Sequence, residues 1–493
     1  MLKNVLFFPL ALALALGAVS LPRGRSAASE GQQTYLVIFF GQQAADGSFE
    51  MEVSHASALS LLYSAGGAVT ADLSRQIGVF IVESTNPLFI DLLLNSGLVE
   101  EVGQDDGWKA FQSLDEVLES SGLADVDPLQ ESVGPGDPLE SLQWSMAQIR
   151  APQARALQPG WRAVDVGILD TGIDATHLDF HDASDPDGLT NVDCARGRDF
   201  IPLGPGIGNP DPCVDNGFHG THVAGIVAAQ TNGFGVAGVA PDVTLVPVKV
   251  CDTAGYCYAS TVIAGITYAG DAELDVINMS FFVDDDELLE STEFKCMNDA
   301  TQRAFRRGVE RAIAYARSRG VTPVAALGNS DTNLASPPSG NDCEVIPAEV
   351  AGVVGTMALG QQSEKASYSS YGVGETDVAA PGGNGTTGDC STTVLSTFPG
   401  NAYGCIQGTS MASPHTTGVA ALIVSQFGTL GANGDVQMSP SQVESYLQST
   451  AIDLGLEGYD MCFGNGRVDA LRAVQHDTAD ASEANPPCPE YSE

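Results

Sequence analysis

Val166-Gly-Ile-Leu-Asp-Thr-Gly-Ile-Asp174, His219-Gly-Thr-His-Val-Ala-Gly225 and Gly408-Thr-Ser-Met-Ala-Ser-Pro-His415 follow one another in that order along a chain of 493 residues. Each block carries one reactive side chain: Asp170, His219 and Ser410. An acid, a base and a nucleophile are what a serine hydrolase needs, and their order along the chain separates hydrolase folds. An α/β-hydrolase esterase requires Gly-x-Ser-x-Gly and the order Ser, Asp, His. Gly408-Thr-Ser-Met-Ala412 breaks that motif, and the order is wrong.

The flanking residues give each block a structural context. Val164 to Leu169 reads as a buried strand ending at Asp170, and reactive groups collect at the carboxyl ends of strands in an open parallel sheet. An Asp there can hold an imidazole in one tautomer and stabilise its cation; alone, it would be read as a cap on the Thr171-Gly172 turn. His219 opens a helix after Asn216-Gly217-Phe218, and Gly220, Ala224 and Gly225 let that helix approach other backbone closely. His222 is read as structural, and Gly220 stands where a zinc-protease motif needs Glu. Ser410 begins a helix with Pro414 in its first turn, which puts the hydroxyl at the positive end of the helix dipole. A Ser at a helix start is usually only a cap, and a hydroxyl is a poor nucleophile until a base takes its proton. The three blocks together favour chemistry.

Outside the blocks, apolar runs at 164–169, 243–250, 276–279, 321–327, 350–354 and 394–396 alternate with helical patterns at 219–230, 260–269, 300–318, 410–427 and 440–450. Wholly apolar strands separated by helices predict an α/β fold, a parallel sheet flanked by helices on both faces. Residues 34–102 form a different unit. Tyr35 to Phe40, Ile77 to Val82 and Leu98 to Val102 read as strands, with helices from Ser54 to Tyr63 and Pro87 to Leu94. That order predicts a small α+β, ferredoxin-like domain. Residues 103–137, rich in Asp, Gly, Ser and Pro, read as an acidic linker, 138–476 as the large domain and 477–493 as an acidic tail.

Lys3 followed by an apolar run from Val5 to Leu21 reads as a secretory signal, with cleavage expected after Ser20. Ten cysteines, none before residue 194, fit disulfides in an exported protein, and no Cys-x-x-Cys suggests a metal site. Sequence cannot choose among the pairings; joining neighbours along the chain is the simplest scheme. The formal net charge of −41, from 62 acidic against 21 basic residues, disfavours nucleic acid and anionic membranes as partners. A saline habitat and neutral surface drift both explain it. A secreted, soluble monomer is expected.

Residues from about 138 to 475 resemble the subtilisin-like serine proteases, and the three blocks carry the likeness. The match extends to Ala379-Ala-Pro-Gly382 and to Asp275-Val-Ile-Asn-Met-Ser280. The resemblance implies a serine endopeptidase acting on proteins or peptides, with Asp170, His219 and Ser410 as its triad. In Val324-Ala-Ala-Leu-Gly-Asn329 it assigns oxyanion binding to Asn329 and cleft lining to Ala326, Leu327 and Gly328. Ser280, Phe281, Phe282 and Val283 stand where relatives have Ser-Leu-Gly-Gly, so bulky residues are expected to reshape the cleft. The following acidic stretch, Asp284 to Glu293, hints at basic substrates but equally fits a solvated loop. The resemblance also implies a structural Ca²⁺ held by Asp179, Asn232 and the carbonyls of Gln230, Phe234 and Val236. The 34–102 unit resembles an inhibitor-like prosegment, which implies self-inhibition and a cut within 103–137. A catalytically silent binding protein on the same scaffold is the alternative.

Overall fold

The computed structural model describes residues 32–44, 47–105, 107–111, 117, 136–182, 190–201, 211–282, 296–336, 342–431, 434, 436–483 and 488. The signal expected at 1–20, Val283, the acidic run 284–293 and most of 112–135 lie outside them.

The first unit is a four-stranded antiparallel sheet of β1 (Gln33–Phe39), β2 (Gly67–Leu73), β3 (Val79–Ser84) and β4 (Val99–Gln104), in the order β2-β3-β1-β4. Helices α1 (His55–Ser64) and α2 (Phe89–Leu94) complete it, with Ser54 capping α1 through the Ser57 N–H at 3.2 Å. Sequence patterning missed β2. It is an edge strand in which no residue is fully buried, so it lacks the apolar run that marks β1 and β3.

Alternation of side chains across the pleat gives β1 two buried faces. Tyr35, Val37 and Phe39 pack with Leu62, Phe89 and Leu93 beneath the unit's own helices. Leu36 and Ile38, with Val79 and Ile81, point the other way and join a core shared with the large domain. The helices they meet there are α4 (Ala259–Asp271) and α5 (Ala300–Ser318).

The large domain is a seven-stranded parallel sheet: β5 (Asp165–Asp170), β6 (Arg198–Asp199), β7 (Thr244–Lys249), β8 (Val276–Met279), β9 (Thr322–Ala326), β10 (Val354–Leu359) and β11 (Val378–Pro381). Their order is β11-β10-β9-β8-β5-β7-β6, which places β5 and β8 side by side at the middle. α4 and α5 cover one face; α3 (His219–Ala228) and α6 (Thr409–Phe427) cover the other. α7 (Pro440–Ser449) and α8 (Ala470–Gln475) pack outside α6. Two apolar runs behave differently from expectation. The run at 350–354 is a turn from which β10 emerges only at Val354, and the run beginning at Val394 forms a hairpin with Ala402–Ile406 outside the parallel sheet.

All five disulfides join neighbours along the chain: 194–213, 251–257, 296–343, 390–405 and 462–488. Among the described residues no helix is long and apolar enough to cross a membrane.

In this acidic chain α5 is rich in arginine, and it uses three of them to grip the first unit. Arg303 pairs with Glu101 at 2.9 Å and Arg307 with Glu100 at 2.9 Å. Arg311, buried, donates to the carbonyls of Phe39 at 3.0 Å and Ile77 at 3.1 Å and pairs with Glu100. Arg311→Ala strands two carbonyls and a partly buried carboxylate and is expected to cost the full-length chain about 2–3 kcal/mol of stability. Chemical denaturation of the full-length chain checks this, and an unchanged midpoint contradicts it.

Candidate active site

Asp170 is the last residue of β5, and its carboxylate is fully buried. Burying a charge demands partners. These are the Thr171 N–H and hydroxyl, 2.8 and 3.4 Å from Oδ1, and His219 Nδ1, 3.0 Å from both carboxylate oxygens. His219 is the first residue of α3, and that helix can come so close to β5 because position 220 is glycine. A Cβ there would collide with the Gly172 carbonyl oxygen.

Asp215, which the sequence reading passed over, sets where α3 begins. Its Oδ1 accepts the N–H groups of Gly217 at 2.8 Å and Phe218 at 2.9 Å. Its Oδ2 accepts the Thr221 N–H at 2.9 Å and hydroxyl at 2.7 Å. Phe218, between them, is held at φ 78°, a left-handed conformation that costs a bulky residue energy. Burial pushes the Asp215 carboxyl above its usual pKa, against the pull of those bonds. The only sequence signal was an Asp four residues before a helix-opening His.

Ser410 is the second residue of α6 and is almost wholly buried. Pro414 lies in the second turn of α6 rather than the expected first, and lacks the N–H that would normally bond the Ser410 carbonyl. That carbonyl instead accepts the Ser280 hydroxyl at 2.7 Å. Asn278 at the end of β8 completes the tie: its Nδ2 donates to Ser280 Oγ at 2.8 Å, and its Oδ1 accepts Ser413 at 2.8 Å and Thr417 at 2.9 Å. Proline thus breaks one helical bond and lets β8 anchor the turn that bears Ser410.

Asn329 follows β9 after Gly328, which has φ 97°. Its Oδ1 accepts both the N–H and the hydroxyl of Thr409 at 2.9 Å, which fixes the direction of the amide. A Cβ placed on Gly408 would lie 3.7 Å from Asn329 Nδ2 and 3.6 Å from the Ser410 nitrogen. Asn329 Nδ2 and the Ser410 nitrogen therefore both lie around one position beside Gly408. Ala326 and Leu327 are fully buried. Phe281 is fully buried and Phe282 is 7% exposed, both packed into the α4–α5 core.

The stretch after β4 runs into this site. Gly107–Lys109 pairs antiparallel with Tyr256–Tyr258, and the Ala110 N–H donates to the Gly255 carbonyl at 2.8 Å. The Trp108 ring lies 4.8 Å from that of Phe305, and the Phe111 ring stacks on the His219 imidazole at 3.9 Å and 2°. Over these residues the chain does not run free in solvent, as the linker reading expected; it lies against the large domain.

Gln230, Asn232, Phe234 and Val236 lie on one loop, which meets Asp179 and a residue the sequence reading missed, Asp137. Asp137 Oδ1 accepts the Gly233 N–H at 2.5 Å, and the Leu139 N–H donates to the Gly235 carbonyl at 2.8 Å. Asp179 Oδ2 accepts the Val236 N–H at 3.0 Å and the Tyr403 hydroxyl at 2.9 Å. Asp179 Oδ1 and Asp137 Oδ2 are buried without a hydrogen-bond partner. Burial pushes Asp137 up to about 6 and Asp179 well above its ordinary value, and the charges of Glu140 on Asp137 and of Asp137 on Asp179 add to the rise. The Asn232 amide is turned to donate to the Leu178 and His181 carbonyls, while its oxygen accepts the Phe234 N–H at 2.9 Å. Two orphaned carboxylate oxygens among carbonyls fit a hard cation. Among the described residues no three His, Cys, Asp or Glu converge as a metal cluster, so such a site draws on main-chain oxygens.

His222 bonds the carbonyls of Val394 at 3.2 Å and Gly404 at 3.1 Å, and burial lowers its pKa to about 3, so it stays neutral. Its place is structural.

Residues 162–466 match the Subtilase family. Over 336 residues the chain is 34% identical to Subtilisin DY of Bacillus licheniformis and 33% identical to Subtilisin Savinase of Lederbergia lenta. Each alignment covers 68% of this chain and 100% of the relative. Among solved structures, a lanthipeptide protease is 26% identical with a TM-score of 0.55, covering 68% of this chain and 93% of that one. The epidermin leader peptide processing serine protease of Staphylococcus aureus has a TM-score of 0.66 at 19% identity, covering 92% and 100%; that likeness concerns the fold alone.

Asp215→Ala removes all four bonds at the start of α3. It is expected to destabilise the protein by about 2 kcal/mol, the upper end for a lost helix cap, read as a lower urea midpoint at unchanged slope. No shift would contradict the role given to Asp215.

Proposed function

We propose, from the premise that this chain belongs to the subtilase family and is a serine endopeptidase, that Asp170, His219 and Ser410 are its catalytic triad. The observation that carries the reading is the buried Asp170–His219 pair, supported by the placing of Asn329 Nδ2 and the Ser410 nitrogen around one position beside Gly408. His219 Nδ1–H donates to Asp170, which leaves Nε2 as the base. Ser410 Oγ attacks the scissile carbonyl carbon as its proton passes to Nε2. The oxygen that becomes negative takes hydrogen bonds from Asn329 Nδ2 and the Ser410 N–H, donors already oriented before the charge develops. The tetrahedral species collapses, the C–N bond breaks, and the imidazolium gives its proton to the leaving amine. Water then repeats the sequence on the acyl-enzyme and frees the acid and Ser410.

The precursor is held silent by its own first unit. In support, residues 33–104 share a core with α4 and α5, and the chain that follows pairs with Tyr256–Tyr258 and lays Phe111 over the His219 ring. A substrate cannot enter while that ring is there. Five disulfides fit an oxidising compartment, and with the apolar N-terminal run they support export. Self-processing is tested with Ser410→Ala. Wild type is expected to mature and to take a serine-directed phosphonate on Ser410, while the mutant stays full-length and unlabelled. Clean maturation of the mutant in a protease-free system would refute self-processing.

Calcium would be held by Asp137 and Asp179 with the carbonyls of Gln230, Phe234 and Val236 and the Asn232 amide, tying the start of the large domain to the loop after α3. When bound, the ion supplies charge compensation for the two carboxylates. Without a cation, a carboxyl raised from 3.8 to about 6 adds stability that is full below the lower value and lost as pH rises through the upper. Chelated protein should therefore unfold at progressively lower temperature between those pH values, and added Ca²⁺ should abolish the fall. The calcium increment should shrink in Asp137→Ala and Asp179→Ala. Equal increments in wild type and both variants would remove the site.

A further inference from the structure

The edge that receives the Gly107–Lys109 strand is only three residues long, Tyr256–Tyr258, and belongs to a small loop closed by the Cys251–Cys257 disulfide. The two half-cystines also face each other as an antiparallel bridge, and both are fully buried. At its base the loop hangs from the catalytic strand: the N–H groups of Val250 and Cys251 donate to the Asp170 carbonyl at 2.9 and 3.2 Å. At its tip, Gly255 takes φ 87°, and a Cβ there would collide with the Phe111 carbonyl oxygen. Asp252 braces the interior, accepting the N–H groups of Ala254 at 2.9 Å and Tyr256 at 3.0 Å and the Tyr258 hydroxyl at 3.0 Å. One end of the cross-link is the direct strand partner of Trp108, whose ring lies against Phe305; Gly255 offers its carbonyl to Ala110.

We propose that the Cys251–Cys257 cross-link is a positioning device for extended substrates, holding Tyr256–Tyr258 in the conformation with which a peptide backbone pairs. The proposal rests on the protease reading. A three-residue edge on an unclosed loop would have to be ordered each time a peptide docks, and that ordering weakens binding; a loop ordered in advance avoids it. The bond-breaking groups lie outside the loop, so the cross-link acts on recognition of residues upstream of the cut and leaves the chemical step alone. Cys251 and Cys257 are positioning residues.

The test compares processed wild-type enzyme with Cys251→Ser/Cys257→Ser and with Cys251→Ala/Cys257→Val, the second of which keeps the buried positions filled with apolar atoms. Active sites are counted by phosphonate titration. Two substrates are used: a fluorogenic peptide carrying Gly-Trp-Lys-Ala-Phe before the cleaved bond, and a single-residue phenylalanine ester. In both variants KM for the long peptide is expected to rise roughly tenfold with kcat changed less than about twofold, and kcat/KM for the ester to stay at the wild-type value per titrated site. Gly255→Ala, which obstructs the same edge with the disulfide intact, should reproduce the selective loss. An unchanged KM for the long peptide, an equal loss on both substrates, or titratable sites in neither disulfide variant would overturn the proposal. Failure of wild type itself to titrate would instead defeat the protease reading on which it stands.

Discussion

A carboxylate cannot be taken wholly out of water without partners, and Asp170 is wholly out of water. Much of the local architecture follows from meeting that need with an imidazole. β5 must end where α3 begins, so Gly220 must be glycine and Asp215 must hold the entering loop against the unfavourable turn at Phe218. The same economy appears on the serine side, where Pro414 frees the Ser410 carbonyl and Ser280 and Asn278 take up what the helix gives away. Asp170, His219 and Ser410 thus stand at the ends of rigid elements in segments tied by buried hydrogen bonds, which holds their geometry.

Access to the site is a separate matter. The first unit contributes an apolar face to the α4–α5 core and is clasped by arginines that stand out in a chain of net charge −41. Exposed parts of such a clasp weaken as salt screens them, whereas the buried Arg311 contacts do not. Latency in our reading therefore rests mainly on burial, with the outer ion pairs adding orientation. The loop that receives the following strand is closed covalently by the Cys251–Cys257 disulfide.

Much of this was legible in the sequence. Largely apolar runs gave β5, β7, β8 and β9 within a residue or two of their observed ends, and the long amphipathic pattern gave α5 its observed bounds. Strands without such runs were not legible: β2 is half exposed, and β6 is two residues long at the sheet edge. Within the site, Asp170 and His219 could be named because their blocks are specific. Asp215 and Asn278 could not, because they act through hydrogen bonds to residues whose positions only the fold fixes. Asp137 was hidden for the same reason. It lies in the Gly134-Pro-Gly-Asp-Pro138 stretch that reads as linker, and its meaning comes from a loop 96 residues away. Neighbour pairing of the cysteines, the simplest of the schemes the sequence left open, is the one observed, with separations from 6 to 47 residues.

The convergence of Asp170, His219 and Ser410 on one reacting carbon is tested most directly by a crystal structure of the processed enzyme with a peptide boronate. Boron bonded to Ser410 Oγ is expected, with one boronate oxygen about 2.7–3.1 Å from both Asn329 Nδ2 and the Ser410 nitrogen and His219 still paired with Asp170. A boronate that leaves Ser410 unmodified, or whose oxygen faces away from Asn329, would contradict the proposed mechanism.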